Sequence, residues 1–145
     1  MSAYNIGVFI SHSWSYSEHY EKLAEWVFQN NWTVNNGANP LIFHDLSVPK
    51  DDPIHNARNA AQLEQAIYAE IAKSHVVIIP SGMYASYSNW IQKEIKGAHL
   101  HGKPILAVNP YGQERKSGVV LDNAADGVGW NKQSVVSGIW RLYSA

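Results

Sequence analysis

No cysteine occurs in the 145 residues, which excludes disulfide staples, thiolate metal sites and a cysteine nucleophile and agrees with a reducing compartment. Clusters of lysine and arginine are missing too. The 11 basic and 12 acidic residues leave a net charge of −1, with nowhere enough positive charge to neutralise a run of phosphates, so no nucleic acid is expected as a partner. No apolar run approaches the length of a membrane span, and the opening MSAYNIGVFIS has neither the basic start nor the long apolar core of a secretory signal. The expectation is a cytoplasmic protein with no membrane partner. The phosphate-cradling patterns G-x-x-x-x-G-K and G-x-G-x-x-G do not occur. After the first apolar run comes SHSWS, with no carboxylate before Glu18, so the acidic pair that holds Mg²⁺ for phosphoryl transfer to an aspartate is absent.

Four short apolar, β-rich runs are present: IGVFIS (6–11), PLIFH (40–44), HVVIIPS (75–81) and PILAVN (104–109). Segments with helical period separate them, and this alternation predicts an α/β fold of parallel strands joined by crossover helices. A capping-box pattern at Ser15–Glu18 opens the first helix, which carries Tyr20, Leu23, Ala24 and Val27 on one face and ends near Asn30. Stripes of Leu63, Ala66, Ile67 and Ile71, and of Tyr87, Ile91, Ile95 and Ala98, mark the next two. A short fifth strand at 127–130 precedes a last helix from about Gln133, with Val135, Val136, Ile139 and Tyr143 inward. The length allows a single domain over 1–145, so one site or one surface has to carry the function. The connections 45–61 and 109–126 are too long for simple turns, and long connections in compact domains are commonly functional.

Ligands of open parallel sheets bind outside the carboxyl ends of the strands. The residues there are Ser11 to Trp14, His44 and Asp45, Ser81 to Tyr84, Asn109, and Trp130 with Asn131. Seven histidines invite a metal reading, but H-E-x-x-H is absent, and His99 and His101, two apart on a helix, point in different directions. No metal and no cofactor are expected. Serine catalysis lacks its strained G-x-S-x-G turn. What remains is W90-I-Q-K-E94, which puts Trp90 and Glu94 on one face of the third helix. On spacing alone two readings stand: a core tryptophan with a solvated glutamate, or a carboxylate set among aromatic rings to bind or stabilise a cation.

The runs Val8–Ser13 (VFISHS), Phe43–Asp45 (FHD), VVIIPS and Ser88–Ile95 (SNWIQKEI) together resemble a TIR domain, in particular the TIR-like proteins of Thoeris antiphage defence. The resemblance implies a flavodoxin-like three-layer sandwich, a central five-stranded parallel sheet with helices on both faces. It implies that Glu94 is the carboxylate needed to cleave NAD⁺. Ser11, His12, Ser13 and Trp14, the pair Phe43 and Asp45, Tyr84 and Trp90 would then border the nucleotide pocket. Two features depart from the family pattern: Ile91 stands where many relatives have cysteine, and the 45–61 loop lacks the usual glycine.

On this reading NAD⁺ is a substrate and the product is a cyclic ADP-ribose-type signal for a separate effector protein, with self-association through the 45–61 segment as a further expectation. With no nuclease motif or second domain in this sequence to act as effector, the expected output is either depletion of NAD⁺ or a diffusible signal. Two alternatives remain open at this stage: a non-catalytic TIR adaptor module, and a nucleoside deoxyribosyltransferase-like enzyme, which also uses a glutamate on an α/β fold to cut an N-glycosidic bond.

Overall fold

Strands buried on both faces need apolar residues at every position, and the runs that read as continuous apolar segments are the ones that form the centre of the sheet. The computed structural model describes residues 3–11, 17–46, 60–80, 89–109, 120 and 123–145, with backbone only for 17–19, 60–63, 80 and 89–90. Along the chain run β1 (Tyr4–Ile10), α1 (Ser17–Phe28), β2 (Trp32–Val34), β3 (Asn39–Asp45), α2 (Ala60–Lys73), β4 (Val76–Pro80), α3 (Asn89–Leu100), β5 (Ile105–Val108), β6 (Asp126–Val128) and α4 (Lys132–Ser144). Among the described residues no helix is long and apolar enough to cross a membrane.

The sheet order is β2-β3-β1-β4-β5-β6. Five strands, β3-β1-β4-β5-β6, are mutually parallel and follow the flavodoxin-like order. The five parallel strands are those the sequence implies, and a sixth, β2, is added at the edge. It pairs antiparallel with β3 at the sheet edge, Trp32 opposite Leu41 and Val34 opposite Asn39. Its three residues are too short to stand out as a strand, and the hairpin is made by its turn, where Asn35, Asn36 and Gly37 all take positive φ. Asparagine and glycine tolerate that conformation at low cost.

Side chains alternate across each strand and build a core on either face. Ile6, Val8 and Ile10 of β1, with Leu106 and Val108 of β5, pack against Leu23 and Val27 of α1 and Val135, Val136 and Ile139 of α4. On the other face Phe9, Val77, Ile79, Ile105 and Ala107 meet Ile67 and Ile71 of α2 and Ile91, Ile95 and Ala98 of α3. Each fully buried isoleucine contributes about 1.5–3 kcal/mol, so these stripes fix which way every helix faces.

Helix α3 ends where the sequence supplies Gly102 at φ 65°. The Lys103 amide donates to the Ala98 carbonyl at 2.8 Å and the Gly102 amide to His99 at 3.2 Å, a Schellman stop that turns the chain directly into β5. Asn131 caps α4, its side chain accepting from the Ser134 amide at 3.0 Å.

Candidate functional site

From β1 the chain builds β3 on one side and β4, β5 and β6 on the other. Such a reversal of strand order opens a crevice at the carboxyl ends of the two strands where it occurs, here β1 and β4. Ser11 lies at that point. Its amide donates to the Ile78 carbonyl at 2.9 Å, extending the β1–β4 ladder one residue past β1, and the residue is fully buried. Carried on in the same alternation, Ser11 takes the side of Phe9, the face covered by α2 and α3.

Asn109 repeats the arrangement one strand beyond β4. Its amide donates to the Val128 carbonyl at 2.9 Å, extending the β5–β6 ladder, and its alternation follows Ala107 on the α3 side. The side-chain Oδ1 is buried and accepts no hydrogen bond among the described residues.

Helix α3 follows β4 and lies over this face. Glu94 occupies its sheet-facing stripe, three residues after Ile91 and four before Ala98, and is 0% exposed. This decides between the two readings of the W-x-x-x-E spacing as far as solvation goes: Glu94 is not a solvated helix-face charge. The neighbouring lysines turn elsewhere. Lys93 and Lys96 both pair with Glu64 of α2 at 3.6 Å. Tyr68 donates to the same carboxylate at 2.6 Å, and this bond first, with the two lysines, holds Glu64 below the usual carboxylate range. Partial burial first, then the hydrogen bond to Glu64 and its charge, push the Tyr68 hydroxyl up to about 12. The α2–α3 contact is thus closed by its own ion pairs.

Burying a carboxylate costs free energy that an isoleucine at the same place would not. Three residues are buried and polar or charged among those described: Ser11, Ser74 and Glu94. Ser74 has a plain structural task, its hydroxyl donating to the Ile71 carbonyl at 2.8 Å at the end of α2. Ser11 and Glu94 instead lie on one face of the sheet, Ser11 at the end where the crevice opens and Glu94 midway along the helix that follows β4.

The other expected site residues divide. Trp90 is the second residue of α3, one turn before Glu94, with its side chain not described. His12, Ser13, Trp14 and Tyr84 lie outside the described residues, as do most of the two long connections. Asp45 stands exposed at the end of β3, opposite Val8 in register. Phe43 is not brought together with Glu94: it packs with the core under α1 and α4, on the opposite face of the sheet. The alternation that buries Leu41 forces this, because Phe43 lies two residues further along the same strand.

The remaining strand-end residues have local roles. Trp130 packs on Trp26 with ring centroids 4.8 Å apart, and His44 Nε2 lies 3.0 Å from Asn5 Oδ1. His99 meets Asn123 at 2.9 Å while His101 stands edge-on to Tyr68, so the two histidines of the H-L-H stretch engage different partners. Asn109, visible in the sequence as a strand-end residue, gave no sign there of its buried oxygen. The signal is positional, an amide placed directly after four consecutive buried residues.

The pattern that defines the Thoeris protein ThsB, TIR-like domain, matches residues 9–115, well over half of the chain and all of the crevice region. The chain belongs to this family. It is therefore a TIR-domain protein of antiphage defence, and its sheet order, with β6 and α4 beyond the matched span, completes a TIR-like fold. Comparison with curated protein sequences finds no match.

Proposed function

We propose that this ThsB-type TIR domain cleaves the nicotinamide–ribose bond of NAD⁺ and releases a cyclic ADP-ribose-type signal read by a separate effector protein. The observation that carries the reading is the complete burial of Glu94 on the sheet-facing stripe of α3, the helix that follows β4. A carboxylate kept out of water interacts strongly with a positive charge brought beside it.

NAD⁺ suits a single carboxylate. Glycosidases that expel an alkoxide need a second, protonated carboxyl to protonate the leaving oxygen. Nicotinamide leaves a pyridinium as a neutral molecule, taking the electron pair of the broken C1′–N bond, so no general acid is required. Positive charge then develops on C1′ and the ring oxygen of the ribose. Glu94 stabilises that charge more than it stabilises the bound ground state, which is the condition for acceleration. Ser11, at the end of β1, orients the nucleotide. Capture of the cation by water gives ADP-ribose plus a proton; capture by a nucleophilic atom of the same nucleotide gives a cyclic isomer, favoured when the bound molecule is folded back on itself.

The reaction as written needs no metal. Incubation with NAD⁺ in EDTA is expected to release nicotinamide, with a product one water lighter than ADP-ribose by mass spectrometry. Release of free base from deoxynucleosides instead would favour the deoxyribosyltransferase reading. No base release from either, by protein in its activated state, would leave a binding module.

A further inference from the structure

Resting on the NAD⁺-cleaving reading, we propose that Asn109 is a substrate-positioning residue, its side-chain oxygen accepting a hydrogen bond from the dinucleotide held beside Glu94. The buried Oδ1 of Asn109 accepts no hydrogen bond among the described residues. Buried amide oxygens are nearly always satisfied, and one left unmet costs stability that a ligand donor restores. The position gives the oxygen a purpose. Asn109 and Ser11 each extend a ladder by one residue, through bonds to Val128 and Ile78, and they do so on the two strands that flank β4. Both follow the alternation of the α3 side, and α3 brings Glu94 to that same face.

Two strand spacings separate β1 from β5 and the register carries Asn109 two residues further along than Ser11, so the two stand about 12 Å apart across the end of β4. That span accommodates a ribose with its base, with one polar group at each flank and the carboxylate of α3 above. The fold itself makes no demand for asparagine here. Its backbone amide serves the ladder whatever the side chain, and Ile105, Leu106, Ala107 and Val108 before it are all buried and apolar. The group that Oδ1 meets must be a donor, either a ribose hydroxyl or the N–H of the nicotinamide carboxamide.

Steady-state kinetics of wild type, Asn109→Ala and Asn109→Leu distinguish these, using NAD⁺ and its nicotinic acid analogue, which lacks the carboxamide N–H. The expected result is a KM for NAD⁺ raised about tenfold with kcat within about threefold, the equivalent of one lost hydrogen bond. The melting temperature without ligand is expected to stay at the wild-type value or above it. An equal loss on both substrates assigns the donor to the ribose, and a loss on NAD⁺ alone assigns it to the carboxamide. An unchanged KM in an active protein, or a ligand-free melting temperature several degrees lower, would overturn the proposal while leaving the NAD⁺ reading intact. If wild-type protein in its activated state releases no nicotinamide, the reading fails and this proposal with it.

Discussion

The two ends of the central sheet carry polar residues for different reasons. At the amino end each one completes the fold. Ser74 closes α2 through the Ile71 carbonyl, and His75 Nδ1 accepts the Gly7 amide at 2.8 Å while its own amide donates back to the Gly7 carbonyl at 2.7 Å. At the carboxyl end, Ser11 and Glu94 are fully buried on a face otherwise filled by Phe9, Ile79, Ile91 and Ile95, and Asn109 holds a buried oxygen that no described group meets. Polar atoms at the first end are part of what holds the strands in register. At the second, polar side chains are buried on a face that is otherwise apolar, an arrangement expected of a site rather than of a core.

Changes at the amino end should therefore act through stability. The largest effect is expected for Gly7→Val, because a Cβ at position 7 would lie 2.6 Å from Leu46 Cδ1 and 3.3 Å from both the Lys73 carbonyl oxygen and Ser74 Cα. Overpacking of this kind costs about 1–3 kcal/mol. Thermal melting should show a clear loss of stability, with the specific activity of the fraction still folded unchanged. Selective loss of activity in a protein of normal stability would blur the distinction between the ends.

A pair of serine substitutions sharpens it. Ser74→Ala removes the hydroxyl that bonds the Ile71 carbonyl and should cost about 1 kcal/mol with turnover intact. Ser11→Ala should do the reverse, reducing NAD⁺ turnover about tenfold with melting near the wild-type value. Equal behaviour of the two variants in melting and in activity would erase the comparison.

The smallest effect is a pH dependence at His75. Partial removal from water first, then the charges of Lys103 and His44, hold its imidazole below the usual range, and Nδ1 accepts from Gly7 only when unprotonated. The unfolded chain takes up this proton more readily than the folded one. Stability should thus fall as pH drops below about 6.5 and level off once the folded imidazole is also charged. Since the residue is only partly removed from water, the shift in melting temperature between pH 7.5 and 5.5 should be small, and His75→Gln should reduce it. An undiminished shift in His75→Gln would assign the dependence to other groups.

Much of this architecture is legible in the sequence because burial on two faces leaves a strong trace. Ile67 with Ile71, Ile91 with Ile95 and Ala98, and Val135 with Ile139 stand at helical spacing and all are buried as that spacing implies. The hairpin strand β2 escapes because three residues carry no period, and only the Asn-Asn-Gly turn betrays it. Phe43 reads as a pocket residue from its motif, yet strand alternation sends it to the other face with Leu41. Glu94 is ambiguous in the sequence for a related reason. Its relation to Trp90 fits either reading, whereas its place between Ile91 and Ala98 on the inward stripe is what settles that it is buried. The orphaned oxygen of Asn109 leaves no trace beyond the residue's place after an apolar run, since hydrogen-bond satisfaction depends on neighbours brought in by the fold.

The central claim is that the buried carboxylate of Glu94 is there to meet a cation, and Glu94→Gln tests it most directly because size and shape are kept while charge is removed. Nicotinamide release from NAD⁺ and thermal melting, measured side by side on wild type and variant, give both halves of the answer. The account predicts a fall in turnover of about a hundredfold or more, with a melting temperature equal to or above that of wild type, since a neutral amide costs less to bury than a carboxylate. Turnover near the wild-type rate in a folded Glu94→Gln protein would contradict it, as would a large drop in melting temperature, which would make the carboxylate a structural group.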